Sequence, residues 1–259
     1  MASYQGHFIQ AGERTIYLAC FGDMQASKRL VFAPPFAEEM NYSRAVVART
    51  AQHLATRGWY VVLVDYWGTG DSGGDLEQVR LHHWLADMDA VLSWVGCDET
   101  PVALWGLRFG ALLIDYYLSV KPSRNLSQFI FWQPQLSGRR MMRQFFRLRQ
   151  VQEAFSGKQR VDWLARALEG DTVEVSGYRL SPELVREICA LSWQGHALRV
   201  GASLWLEVGQ PPSEGALGFP VSAGLEVQTC EGPAFWQVPD VYHAPALQAV
   251  SHAWLEGAV

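Results

Sequence analysis

The sequence predicts an α/β fold, a mostly parallel, doubly wound sheet opened by an antiparallel hairpin and carrying a late helical insertion. Three observations predict it. Between residues 29 and 133, short apolar runs alternate with segments whose apolar residues recur every three or four positions, the strand–helix order of a parallel sheet covered on both faces. One of those runs, Trp59-Tyr60-Val61-Val62-Leu63-Val64-Asp65, is almost unbroken in β-branched and aromatic residues, as a strand buried on both sides requires. The third is Leu104-Trp105-Gly106-Leu107-Arg108-Phe109-Gly110, which has the form of a sharp strand-to-helix turn flanked by glycines.

Bulk properties bound the rest. With 259 residues the chain is long for an average domain, yet α/β units of this length are commonly single. Residues 1–136 and 196–259 read as the core domain and 137–195 as a helical cap inserted into it. Hydrophobic residues make up 49% and charged residues 18%, enough for a core and too apolar for disorder. A net charge of −5 excludes a protein that tracks nucleic-acid phosphates. The start, Met1 to His7, lacks a basic region followed by an apolar core, and no later apolar run reaches the ~18 to 20 residues of a membrane span. A soluble, cytoplasmic protein is the expectation. Cys20, Cys97, Cys189 and Cys230 are far apart and form no CxxC pair, so buried free thiols are expected rather than zinc or disulfides. Neither a metal site nor a cofactor is implied.

The elements follow in order. Residues 6–21 alternate and turn through Ala11-Gly12-Glu13, predicting the opening hairpin. Arg29 to Ala33 is a short strand stopped by Pro34-Pro35, with Phe36-Ala37-Glu38-Glu39-Met40-Asn41 as the loop beyond it. Ser43 to Arg57 reads as a helix that Asn41 or Ser43 could cap and Gly58 stops. After the Trp59–Asp65 strand, Asp65-Tyr66-Trp67-Gly68-Thr69-Gly70-Asp71-Ser72-Gly73 supplies glycines for a tight reversal. Val79 to Val95 carries an apolar stripe at helical spacing, on which His82 and His83 point ~100° apart and so do not share a metal. Pro101 to Trp105 is the strand entering the elbow, Phe109 to Val120 the helix leaving it, and Asn125 to Gln133 the next strand.

From Ser137 to Gly195 the rhythm breaks. In Gly138 to Leu148, Arg139, Arg140, Arg143 and Arg147 fall on one helical arc and Met141, Met142, Phe145, Phe146 and Leu148 on the other. This is either a cap helix with solvated arginines or a basic face for a membrane, a polyanion or a partner. Val161 to Leu168, an extended piece Val173 to Tyr178 and a helix from Ser181 with Pro182 at its first position complete the insertion. Strands at Ser203–Val208 and Leu225–Thr229 and a helix at Pro245–Glu256 close the chain.

The glycine-flanked turn matches the nucleophile elbow of α/β-hydrolases, G-x-S-x-G, except at its centre. Arg108 stands where the serine belongs, and a guanidinium has five donors, no acceptor and a permanent charge, so it cannot attack a carbonyl. The triad's other members are as poorly supplied. For the acid, Glu207 lies within a strand and Glu214 follows Pro211-Pro212; for the base, the turn Glu231-Gly232-Pro233-Ala234-Phe235-Trp236 is apolar and His243 comes several residues later. An arginine at a helix N-terminus needs an anion. Glu38 or Glu39 could supply it from within, or a ligand carboxylate, phosphate or sulfate from without, in a pocket walled partly by Trp67 and Trp132 with oxyanion N–H groups from Phe36 and Phe109.

Pro34-Pro35-Phe36-Ala37-Glu38-Glu39-Met40-Asn41, the Asp65–Gly73 loop, Trp105 to Gly110, Ser176-Gly177-Tyr178 and Glu231 to Trp236 together resemble the exosortase A system-associated hydrolase 2 family, a branch of the α/β-hydrolases. The resemblance spans almost the whole chain and implies a bacterial protein acting beside a protein-sorting and exopolysaccharide system, with partners among its components. It implies no substrate. Three functions therefore stay open: a protein without the standard triad that binds an anionic or acyl ligand or a partner, a hydrolase of unfamiliar chemistry using Glu38, Glu39 or His243, and an interaction module docking through Arg139 to Arg149.

Overall fold

The computed structural model describes residues 4–121, 124–155, 161–209, 211, 224–240 and 242–257. Its N-terminal alternation becomes a hairpin in which β1 (Tyr4–Ala11) pairs antiparallel with β2 (Arg14–Phe21), turning at Gly12 with φ 66°. β3 (Lys28–Ala33), β4 (Trp59–Asp65), β5 (Val102–Leu107), β6 (Leu126–Trp132), β9 (Ala202–Val208) and β10 (Leu225–Cys230) continue the sheet in the order β1-β2-β4-β3-β5-β6-β9-β10. All neighbours from β4 onward are parallel, and β2 joins β4 antiparallel. β5 is buried at every position, so its side chains face a helix layer on either side.

Those layers form two apolar clusters. α1 (Glu38–Ala55) and α8 (Pro245–Gly257) cover one face through Val46, Val47, Leu54, Leu247 and Leu255. α2 (Leu81–Trp94) and α3 (Phe109–Val120) cover the other, and the insertion packs beyond them. The insertion holds α4 (Gly138–Phe155), α5 (Trp163–Glu169), the hairpin β7 (Val173–Val175) and β8 (Tyr178–Leu180), and α6 (Pro182–Ala190). A bridge between Ser137 and Ser192 ties its entrance to its exit. Ser176 and Gly177, at φ 50° and 86°, turn the hairpin, the backbone that two-residue turns demand.

Several details differ from the sequence reading. α1 starts at Glu38, so Glu38, Glu39 and Asn41 are helical rather than loop, and Ala37 rather than Asn41 or Ser43 sits at its N-cap. Two carboxylates in a first turn suit the positive end of the helix dipole. α4 continues to Phe155, held by Arg149, which pairs with Glu153 at 3.1 Å and stacks 3.6 Å from the Trp163 ring. Leu148, placed on its apolar arc, is exposed because it lies at that arc's edge. A short helix α7 (Ala197–Val200) has no stripe long enough for periodicity to show.

The Asp65–Gly73 loop is architectural. Asp65 accepts from Arg44 at 3.0 Å and from the Asp71 N–H at 2.9 Å, while the Gly73 N–H reaches Thr15 on β2 at 3.0 Å. Gly68 and Gly70 have φ of 78° and 54°. The loop, the two uncapped helix starts at Ala37 and Arg108 and the end of β6 all meet outside the carboxyl ends of the strands, where α/β sheets hold their ligands.

Candidate functional site

Arg108 carries the strain of the elbow. Its φ of 54° and ψ of −113° are rare for a residue with a Cβ and cost about 1–3 kcal/mol. Backbone bonds hold it there: its N–H donates to the Trp132 carbonyl at 3.0 Å, and its carbonyl accepts from Gln135 at 3.1 Å and Ala111 at 3.2 Å. The flanking glycines serve closeness instead. A Cβ on Gly106 would lie 2.6 Å from the Ala111 backbone, and one on Gly110 would lie 2.0 Å from the Ala33 carbonyl oxygen.

The guanidinium is satisfied within the protein. Arg108 Nη2 donates to Glu39 Oε1 at 3.1 Å, and Nε donates to the two Glu39 oxygens at 3.3 and 3.4 Å. The Gln135 carboxamide oxygen accepts from Nη1 at 3.2 Å and also from Nη2. The Trp236 ring lies 5.2 Å from the guanidinium carbon, a cation–π contact. Only 8% of Arg108 is exposed. Burial pushes the Glu39 carboxyl above its ordinary range, and the Arg108 charge and hydrogen bonds pull it part of the way back. The internal pair is thus formed by Glu39; Glu38 turns instead to Tyr178, whose phenol it helps to raise to about 12, after burial.

The remaining triad candidates do not assemble. Glu207 is buried in β9, where its oxygens accept from Trp205 Nε1 at 2.7 Å and from the Gln133 amide, an anchored strand carboxylate. His243 is exposed ahead of α8, and among the described residues it has no contact with Arg108. Glu214 lies outside the described residues. The turn after the last strand brings the Trp236 ring to Arg108.

Beside the elbow lies a cavity of about 290 Å³. Phe36, Met40, Tyr66, Leu76, Trp84 and Phe109 give it an apolar wall, and Asn41, Thr69, Ser72 and Tyr178 give it polar edges. Among the described residues no charged side chain lines it. Phe36 organises the wall, meeting Phe109, Trp84 and Phe145 edge-on at 5.8, 6.3 and 5.1 Å. β8 closes one side, since Asn41 Nδ2 donates to the Tyr178 hydroxyl at 2.8 Å. Two expected wall residues lie elsewhere. Trp132 is fully buried beneath the elbow, donating to Ser251 Oγ at 2.9 Å, because its position on β6 points to the opposite face of the sheet. Trp67 packs against His83 at 4.9 Å, away from the cavity.

Tyr66 was not singled out in the sequence. It is 3% exposed, lines the cavity, and its hydroxyl has no hydrogen-bond partner among the described residues. Burial, then the nearby Asp87 charge, pushes its phenol well up, so it remains a donor. Gln135 was missed as well; three residues past the end of β6, it carries no periodic or motif signal. Among the described residues no group of three His, Cys, Asp or Glu is placed to hold a metal, and no helix is long and apolar enough to cross a membrane.

Comparison with known proteins agrees with this fold. Residues 29–210 match the family described as serine aminopeptidase, S33. Est1E from Butyrivibrio proteoclasticus, solved with ferulic acid bound, superposes with a TM-score of 0.68 over 97% of this chain and 98% of its own, at 14% identity. The α/β hydrolase GrgF from Penicillium sp. sh18 gives 0.65 over 100% and 99%, at 16% identity. A thioesterase domain from the curacin biosynthetic pathway gives 0.61 over 98% and 99%, at 15% identity. These likenesses carry the fold alone. No curated protein matches in sequence.

Proposed function

The chain belongs to the serine aminopeptidase S33 family of the α/β-hydrolase fold, and from that premise we propose that it binds an acyl ligand without hydrolysing it. One observation carries the proposal: the nucleophile position holds a guanidinium locked by Glu39, Gln135 and Trp236, so neither a nucleophile nor a base is available at the elbow. The cavity beside it supports an acyl rather than an anionic ligand. Its wall is aromatic and aliphatic, among the described residues its lining is uncharged, and the Arg108 charge is already spent on Glu39. Asn41 and Tyr178 at the polar edge and the uncapped first N–H groups of α1 and α3 are the donors for a ligand carbonyl. The resemblance to exosortase A system-associated hydrolase 2 proteins supports partners in that cytoplasmic setting.

A second reading, water activated by Glu39, has its raised carboxyl in favour. Against it, both carboxylate oxygens face the guanidinium.

The test is a panel of acyl esters, thioesters and sugar esters offered to the purified protein and to Arg108→Ala, together with calorimetric titration of octanamide and octanoate. The expected result is no turnover by either protein and octanamide bound more tightly than octanoate. Wild-type turnover lost in Arg108→Ala overturns the proposal and makes Arg108 part of a catalytic site.

A further inference from the structure

The cavity leaves the arginines of α4 unused. Met141, Met142, Phe145 and Phe146 bury one side of that helix, and Arg139, Arg140, Arg143 and Arg147 stand exposed on the other. Elsewhere the arginines are spoken for: Arg14 by Asp87, Arg44 by Asp65, Arg80 by Glu183, Arg124 by Asp89, Arg166 by Asp171 and Arg179 by Glu77. Among the described residues, the four on α4 have no side-chain ion pair or hydrogen bond, a state shared outside α4 only by Arg57. With α5 they line a groove of about 810 Å³ whose floor includes Phe146, Leu164 and Leu168 and whose far wall bears Asp162 and Glu169.

We propose that this groove docks an acidic polypeptide segment of a partner protein, one whose carboxylates repeat at about 6 Å. Arg139, Arg143 and Arg147 are four residues apart, about 6 Å per step along the helix. Alternate residues of an extended chain lie about 6.6 Å apart, so acidic side chains at every second position meet successive guanidinium groups, each able to bind a carboxylate with two hydrogen bonds. Shape and charge separate this occupant from a membrane. A flat anionic bilayer cannot enter a concave groove and would press against Asp162 and Glu169 on its far wall. Four guanidinium groups against two carboxylates leave the groove basic on a protein whose net charge is −5, which orients an acidic partner toward this one side.

The experiment uses the full chain at low ionic strength, where screening is weakest. Two fluorescein-labelled twelve-residue peptides of glutamate and serine, one alternating and one with its glutamates in a block, are titrated and read by anisotropy. The alternating peptide is expected to bind about fivefold more tightly than the block, and Arg143→Glu/Arg147→Glu to weaken it about tenfold or more, with an unchanged circular-dichroism spectrum and melting point. Arg57→Glu, off the groove, is expected to leave binding within about twofold. Equal affinity for the two peptides, or equal loss in Arg57→Glu, overturns the proposal in favour of diffuse attraction. So does arginine-dependent sedimentation with phosphatidylglycerol vesicles in the absence of peptide binding.

Discussion

Glu39→Ala leaves behind a cation that cannot discharge, and for that reason it tests the site more sharply than loss of Arg108 itself. The change removes three contacts of 3.1 to 3.4 Å from a guanidinium that keeps only Gln135 and the Trp236 ring. Breaking a buried pair from one side costs about 3–5 kcal/mol. Here 23% of the Glu39 side chain is open to solvent, so water enters the vacated space and the low end applies, about 3 kcal/mol. At about 2–4 °C per kcal/mol for chains of this size, the melting point falls by about 6–12 °C. Glu39→Gln loses the charge too but keeps an oxygen acceptor for Arg108 Nη2, so it is expected to cost less than Glu39→Ala by about 1 kcal/mol. In Arg108→Ala the orphan is a carboxylate, and burial raises its folded pKa above the unfolded one. The folded state then binds more protons between those values, so the penalty shrinks as pH falls from neutrality toward the unfolded value, while that of Glu39→Ala does not. Urea unfolding of the two single variants and the double variant across this range gives the cycle, with about 2 kcal/mol of coupling expected. Additive losses, or equal effects of Glu39→Ala and Glu39→Gln, would refute the argument.

Tyr66→Phe removes a buried hydroxyl without a partner among the described residues, so stability should rise by about 1 kcal/mol in thermal unfolding; a lower melting point would show a partner for the hydroxyl. Gly110→Ala sets a Cβ 2.0 Å from the Ala33 carbonyl oxygen, backbone that cannot yield, and should cost about 3 kcal/mol or more; near-wild-type unfolding would mean that β3 and α3 can part. Burial first, then His82, Arg14 and Arg80, hold His83 down at about 4, so the unfolded chain takes up the proton first and stability declines as pH falls from about 6.5 to about 4. A proton-NMR titration of His83 with its midpoint near 6.5 would contradict this.

How much of this was legible in the sequence depends on whether the signal was local. The strands were readable because Trp59 to Asp65 and Val102 to Leu107 are apolar without interruption, and burial on both faces is written in each residue of the run. The start of α1 was not readable. Phe36 to Asn41 looks like loop after two prolines, and the helix begins at Glu38 because its carboxylates meet the dipole and Arg108, the latter 69 positions away. Trp132 was misplaced for a related reason: alternation says that neighbouring residues on β6 face opposite sides of the sheet, but not which of them faces the cavity. Gln135 and Trp236 became partners of Arg108 only through the return of distant loops to the elbow.

The elbow itself shows why a motif can report the fold faithfully and the chemistry badly. Everything that keeps its shape is backbone: the Arg108 N–H on Trp132, the Arg108 carbonyl on Ala111 and Gln135, and the glycine gaps against Ala33 and Ala111. None of these depends on which side chain leaves the Arg108 Cα, so the turn is preserved whether or not it carries a nucleophile. The side chain has its own requirements, and they are met from elsewhere, by a carboxylate on α1, an amide after β6 and a ring after β10. A serine at this position would need an imidazole as its base, and among the described residues the side chains that meet Arg108 are Glu39, Gln135 and Trp236. Restoring the serine by Arg108→Ser alone therefore leaves Glu39 without its cation and the hydroxyl without a base, so esterase activity should stay at the uncatalysed rate. A burst of product from an activated ester would show a base near the elbow.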